Sequence, residues 1–168
     1  DFSLSSPDIG NILPESKGRL LLQGTLKGTR SEPQLDAKLE GTGLSYQENS
    51  LARVQAEVQA LLKNDGSLTG SVRVERMSLD GFTVDKGGIE LKGTLADHEF
   101  AVDVAGAMGE VGFSARGAYG VDGDEWQGKL SNLQFEAADH GVWRQEKSVA
   151  IRAGSNGVLL EELCLADG

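Results

Sequence analysis

The sequence predicts an all-β protein, an antiparallel sheet curled lengthwise into a trough with an apolar interior. Three observations predict it. Beyond Gly18, apolar residues recur at every second position through a series of short segments, the spacing that sends successive strand side chains to opposite faces. Gly- and Asp-rich turn signals separate many of these segments. The apolar positions are mostly Leu, Val, Ala and Gly, and aromatics make up only 5% of the chain. A packed sandwich draws on large aromatics to fill its centre, whereas small side chains on a curled sheet leave a slot between its walls.

The elements follow in order. Residues 1–17 carry Pro7 and Pro14 and no strand period; they are expected to form an irregular lead-in with a short helical turn, capped by Ser6 and opened by Pro7. Arg19–Lys27 sets Leu20, Leu22 and Leu26 against Arg19, Gln23, Thr25 and Lys27, and Gln34–Glu40 sets Leu35, Ala37 and Leu39 against Gln34, Asp36, Lys38 and Glu40. Leu51–Leu62 fits two templates. It alternates as a strand through Val54, Ala56, Val58, Ala60 and Leu62, and it fits a helix through Leu51, Val54, Val58, Leu61 and Leu62. Its Ala, Gln and Glu content favours helix, while its neighbours favour strand.

Ser67–Glu75 follows, with Leu68, Val72 and Val74 on the dry face. Next come Ile89, Leu91 and Leu95, then Phe100, Val102 and Val104. Further strands are expected in Val111–Arg116, Trp126–Leu130, Leu133–Glu136, Ser148–Ala153 and Val158–Leu165. Turns are expected at Asn64-Asp65-Gly66, Asp80-Gly81, Lys86-Gly87-Gly88 and Asp122-Gly123-Asp124. A short echo, Gly24-Thr25-Leu26, Gly66-Ser67-Leu68, Gly93-Thr94-Leu95 and Gly128-Lys129-Leu130, fits either a repeated hairpin unit or an abundance of glycine, of which there are 23. Strands with a single apolar face need a cover, because each wet Leu or Val costs roughly 1.5–3 kcal/mol. No amphipathic helix supplies one, which leaves a sandwich, a closed barrel or a folded trough.

Charge and chemistry narrow the function. With 16 Lys+Arg against 26 Asp+Glu, the net charge of −10 repels phosphate backbones and anionic membrane surfaces. Apolar runs stop at three or four residues, far short of the roughly 20 that a membrane-spanning helix needs. His98 and His140 stand far apart with no second ligand at metal-binding spacing. The single Cys164 lacks any catalytic signature and reads as a buried thiol or as one half of a disulfide with a residue outside this chain. Asp122-Gly123-Asp124-Glu125 has the spacing of a hairpin turn rather than of a calcium loop. The glycines at 106, 109, 112 and 117 are not spaced to cradle a phosphate. No enzyme, cofactor or metal site is expected. The 168 residues suit one domain; the start at Asp1 and the stop at Asp167-Gly168 read as cuts, so residues 1–168 are expected to be a single β-trough segment of a longer protein.

Several signals in fixed order resemble the TamB family, the inner-membrane subunit of the translocation and assembly module. They are Pro7-Asp8-Ile9 through Pro14, Gly18-Arg19-Leu20, Gly28-Thr29 and Pro33-Gln34-Leu35; then Gly93-Thr94-Leu95-Ala96-Asp97-His98 leading into Phe100, Val102 and Val104; then Trp126-Gln127-Gly128-Lys129-Leu130, Trp143 and Cys164-Leu165. The resemblance spans nearly the whole chain. It implies a taco-like trough in a periplasmic protein, held by an N-terminal inner-membrane anchor outside this chain. It implies a partner outer-membrane barrel, TamA, and a part in inserting outer-membrane proteins such as autotransporters. It also implies kinship with AsmA-like, bridge-like lipid transfer proteins proposed to move phospholipid between membranes. No catalytic residues come with it, and His98 and Trp126 are expected to serve turn and packing.

Three readings follow. The first is a segment of a lipid conduit whose lining would be Leu22, Leu35, Leu39, Val72, Val74, Leu91, Phe100, Val102, Phe113 and Leu130; ordinary core is the alternative at each. The second is a chaperone or scaffold that offers its groove or a strand edge to unfolded outer-membrane proteins. The third is a closed structural β domain.

Overall fold

Alternating residues joined by tight turns add strands one hairpin at a time, and the result is one antiparallel sheet. A computed structural model describes residues 1–63, 65–94, 96–119, 125–137, 141–155 and 157–167. Its thirteen strands are β1 (Phe2–Ser6), β2 (Ser16–Thr29), β3 (Glu32–Tyr46), β4 (Asn49–Leu61), β5 (Ser67–Leu79), β6 (Phe82–Thr94), β7 (His98–Gly106), β8 (Gly109–Tyr119), β9 (Glu125–Ala137), β10 (Gly141–Gln145), β11 (Val149–Gly154), β12 (Gly157–Leu160) and β13 (Leu165–Asp167). Each of β1 to β9 pairs with the next strand in sequence. Beyond β9 the sheet forks: β10 continues from Gln134–Ala137 and pairs with β13, while β11 pairs with Glu125–Leu130 and carries β12.

The sheet does not close into a barrel, and it is open to solvent. Its accessible surface is 11427 Å², where a compact monomer of 17.8 kDa would expose about 8,000 Å². No large side chain is fully buried among the described residues. These values fit a curled, unfilled trough and not a sandwich.

Several sequence expectations are corrected. The lead-in is not irregular throughout: Phe2–Ser6 forms β1, because Leu4 and Phe2 have Leu22 and Gly24 to pair against. The helical turn is a 3-10 turn at Ile9–Asn11, capped by Asp8, whose carboxylate accepts from Gly10 N, rather than by Ser6. Lys86-Gly87-Gly88 is no turn but the middle of β6, held by full ladders to β5 and β7. Leu51–Leu62 falls in β4 except for its last residue, because a strand lies on either side of it and backbone pairing outweighs helix propensity. Trp126–Leu130 and Leu133–Glu136 are one strand, and Gly141–Gln145 is a strand that the period-two reading passed over. The Val158–Leu165 segment is broken, with β12 ending at Leu160 and β13 starting at Leu165. The Asp80-Gly81 turn stands as read, with φ of 47° and 87° at its two central residues. Asn64, Leu95, the Asp122-Gly123-Asp124 turn and His140 lie outside the described residues.

Candidate functional site

Register decides which side chains share a face. Reading partners across the sheet, one apolar row runs Leu4, Leu22, Leu39, Ala56, Val72, Ile89, Val102 and Phe113 through β1 to β8. A second row runs Phe2, Gly24, Ala37, Val58, Gly70, Leu91, Phe100, Ala115, Leu130 and Val149. Cross-strand neighbours in such rows sit about 5 Å apart, so each row is a continuous oily line. Leu35 and Val74 fall in the two flanking rows of the same face. All ten predicted lining residues therefore lie on one face of the sheet.

They do not all share one environment. Leu22, Leu39, Val72 and Leu91 line an open groove of about 290 Å³ across β2 to β6, together with Ala37, Ala56, Val58, Gly70 and Ile89. Leu35, Val74 and Val102 are half-buried beside it. Leu130 is 6% exposed and belongs, with Ala115 and Trp126, to a packed cluster against which Phe100 and Phe113 also lie. So the face is open at one end and filled at the other.

Period-two reasoning also missed part of the face. Gly43 (φ 60°) and Arg76 (φ 47°) adopt left-handed backbone within β3 and β5, which shifts the alternation by one residue. A methyl placed on Gly41 would meet both Val54 and Leu44, so Leu44 turns to the same side as Gly41 although it lies an odd three positions further along the strand. Leu44, Leu51, Met77 and Leu79 then line a second depression of about 210 Å³, flanked by Ile9 and Leu13. Asn132 (φ 56°) acts likewise in β9, where the register with β8 shifts and Leu133 joins Leu130 against the packed cluster. The signal for these sites was present only as glycine and polar residues inside apolar runs.

Two polar side chains sit within the filled end, and their bonds fit one proton arrangement. The Trp126 indole can only donate, so its Nε1–H donates to His98 Nε2 at 2.8 Å. His98 Nδ1 then carries the ring proton and donates to Thr94 O at 3.2 Å. Both residues are buried, at 8% and 6% exposure. The turn and packing roles expected for this pair from sequence match where it sits.

The opposite face is charged. Lys38–Glu57 (3.0 Å), Arg73–Glu90 (3.6 Å) and Lys92–Glu99 (3.3 Å) pair across neighbouring strands, and the Arg116 guanidinium forks onto both oxygens of Asp97. The hydrogen bond from Arg116 holds the Asp97 carboxyl below the usual carboxylate range, and Asp97 raises Arg116 in return. Hydrogen bonds to Glu57 and Glu32 raise Lys38 and Lys63. All four groups are solvated, so these pairs orient the outer surface more than they stabilise it. No group of three His, Cys, Asp or Glu among the described residues could hold a metal ion, and the Cys164 thiol is half-buried and free.

The sheet thus carries one apolar face and one charged face. A family model described as TamB, N-terminal domain, matches residues 1–165. The chain belongs to the TamB family. TamB proteins belong to the bacterial envelope. No helix among the described residues is long and apolar enough to cross a membrane. No solved structure matches this TamB-family chain. Of the motifs that carried the resemblance, Asp97-His98 leads into β7, and Trp126, second residue of β9, sits in the packed cluster.

Proposed function

We propose that this TamB-family segment is a stretch of an apolar groove that carries phospholipid acyl chains across the periplasm between inner and outer membranes, without catalysis. The observation that carries the reading is the oily row from Leu4 to Phe113 opening into an unfilled groove over β2 to β6. Moving an acyl chain of about 15 methylenes through water costs roughly 12 kcal/mol, at about 0.8 kcal/mol per CH₂. A continuous aliphatic floor removes most of that cost, and its lack of directional contacts lets a chain slide. In this reading the protein is held by an inner-membrane anchor outside this chain and works with the TamA barrel in outer-membrane biogenesis.

A second reading is a chaperone or scaffold for unfolded outer-membrane proteins such as autotransporters. The sheet's edges favour it: β1 and the exposed β12 offer unpaired backbone to an incoming strand.

A charge on either face of one strand tests the lipid reading. Val102 and Ala101 are neighbours on β7 with opposite orientations. Val102→Asp is expected to abolish the protein's support of the envelope while the protein still accumulates, since an acyl chain would have to cross a carboxylate. Ala101→Asp is expected to leave it intact. Equal loss in both variants, or in neither, would reject the groove as the working surface.

A further inference from the structure

The second depression lies beyond a line that neighbouring strands share. In β3, β4, β5 and β6 the pairing skips Gly43, Ala52, Arg76 and Asp85 and resumes one residue further on, and β2 bulges at Gly18, against Gly43. On the groove side of the line stands the row Gly41, Val54, Val74 and Gly87; on the far side stands the row Leu44, Leu51, Met77 and Val84. A methyl on Gly41 would meet the side chains of Val54 and Leu44, and one on Gly87 those of Val74 and Val84. Rows three positions apart therefore share the inner face in β3 and again in β6, so the resets form one crease. Past it the apolar face continues as a bay of its own.

We propose, building on the lipid reading above, that this bay binds an acyl chain of a lipid lodged beside the sliding path, at a site separate from the groove. The groove rows run on to Val102 and Phe113, but β7 pairs with β6 only as far as Ala105 and ends at Gly106, so the far rows have no β7 or β8 to continue onto. At the opposite end the connection from β1 to β2 brings Ile9 and Leu13 against the bay. Two buried serines tie that connection down, Ser6 donating to Asp8 O and Ser16 to Leu13 O. From Ser16 on β2 to Leu79 on β5 the bay crosses four strands, about 14 Å at the usual spacing of about 4.8 Å. One leaflet's share of a hydrocarbon core is about 15 Å, so an acyl chain fits its length. Leu13, Tyr46 and Leu79 remain 50%, 43% and 44% exposed, an apolar rim that a hydrocarbon would cover. Ser16 and Asn49, polar residues of the lining, are already engaged, with Asn49 Oδ1 accepting from Asp80 N. Ser45 and Ser50 alternate with Leu44 and Leu51 and so point to the outer face. A polypeptide would find few partners there for its backbone N–H and C=O groups, whereas a hydrocarbon needs none.

The test uses the full-length protein in its own membranes, with a photoreactive benzoylphenylalanine at Tyr46, in the bay, or at Val72, in the groove. Cross-linked products are assayed for phospholipid by mass spectrometry. Phospholipid is expected at both positions. Leu51→Asp, or the more exposed Leu79→Asp should the first fail to accumulate, is expected to abolish capture at Tyr46, because a carboxylate would meet the chain, and to leave capture at Val72 unchanged. Lipid at Val72 with none at Tyr46, or with only polypeptide there, overturns the bay and leaves the lipid reading standing. A Tyr46 signal that survives the carboxylate shows that the lipid is not held in the bay, and a loss equal at both positions shows one shared space; either overturns the separate site. Lipid at Tyr46 alone makes the bay the path itself and overturns it as well. Lipid at neither position defeats the lipid reading and the bay with it.

Discussion

Trp126→Phe isolates a buried polar bond in the filled end of the sheet. The substitution keeps a ring against Phe100 but deletes the N–H that His98 Nε2 accepts at 2.8 Å. With His98 only 8% exposed, its lone pair gains no full water partner, and a buried acceptor left unsatisfied costs about 1–3 kcal/mol. The smaller ring forfeits a further ~1 kcal/mol of apolar burial, at about 25 cal/mol per Å². The single variant should therefore lose about 2–4 kcal/mol. In a His98→Phe background there is no acceptor to orphan, so only the area loss remains and the coupling between the two sites should be about 1–3 kcal/mol. Urea unfolding followed by far-UV circular dichroism, run as a double-mutant cycle, measures it. Additive losses to within about 0.5 kcal/mol would refute the bond as a structural tie.

Other consequences are as direct. Gly43 sits at φ 60° with open space around its missing side chain, so Gly43→Ala should cost about 1–2 kcal/mol from backbone strain alone, whereas Arg76→Gly, relieving φ 47°, should gain up to about 1 kcal/mol; paired urea midpoints of opposite sign are the check. The depressed Asp97 carboxyl stabilises the fold at pH values above the ordinary carboxylate pKa, and that contribution is lost as pH falls through its lowered folded value. Asp97→Asn should flatten that acid limb of the urea midpoint against pH, and an unchanged limb would remove the Arg116 pair as its source.

Alternation made most strands legible, because a sheet with one dry face writes its period into the sequence wherever pairing is regular. It failed where pairing was not local. Phe2–Ser6 has little pattern of its own and becomes a strand because Gly24 leaves room for the Phe2 ring. Lys86-Gly87-Gly88 has turn composition, yet Gly87 is opposite Val74 and Val104, where a bare backbone gives the valines space. The groove was legible at Leu22, Leu39, Val72 and Leu91, which obey strict alternation. Leu44, Met77 and Leu133 escaped because the left-handed residues at Gly43, Arg76 and Asn132 reset the phase. The filling of the far end was also hidden, since Phe100 and Leu130 alternate as regularly as the open positions and only the pairing of β7, β8 and β9 brings Trp126 against Phe100.

A lipid-carrying role requires the aliphatic face of the sheet to meet cargo. Photo-cross-linking from Leu91, with its neighbour Lys92 on the outer face of β6 as reference, measures this in living cells. Phospholipid attached at Leu91 and absent at Lys92 is the predicted result. Nascent barrel polypeptides at Leu91 without lipid, or the same products from both residues, would contradict it.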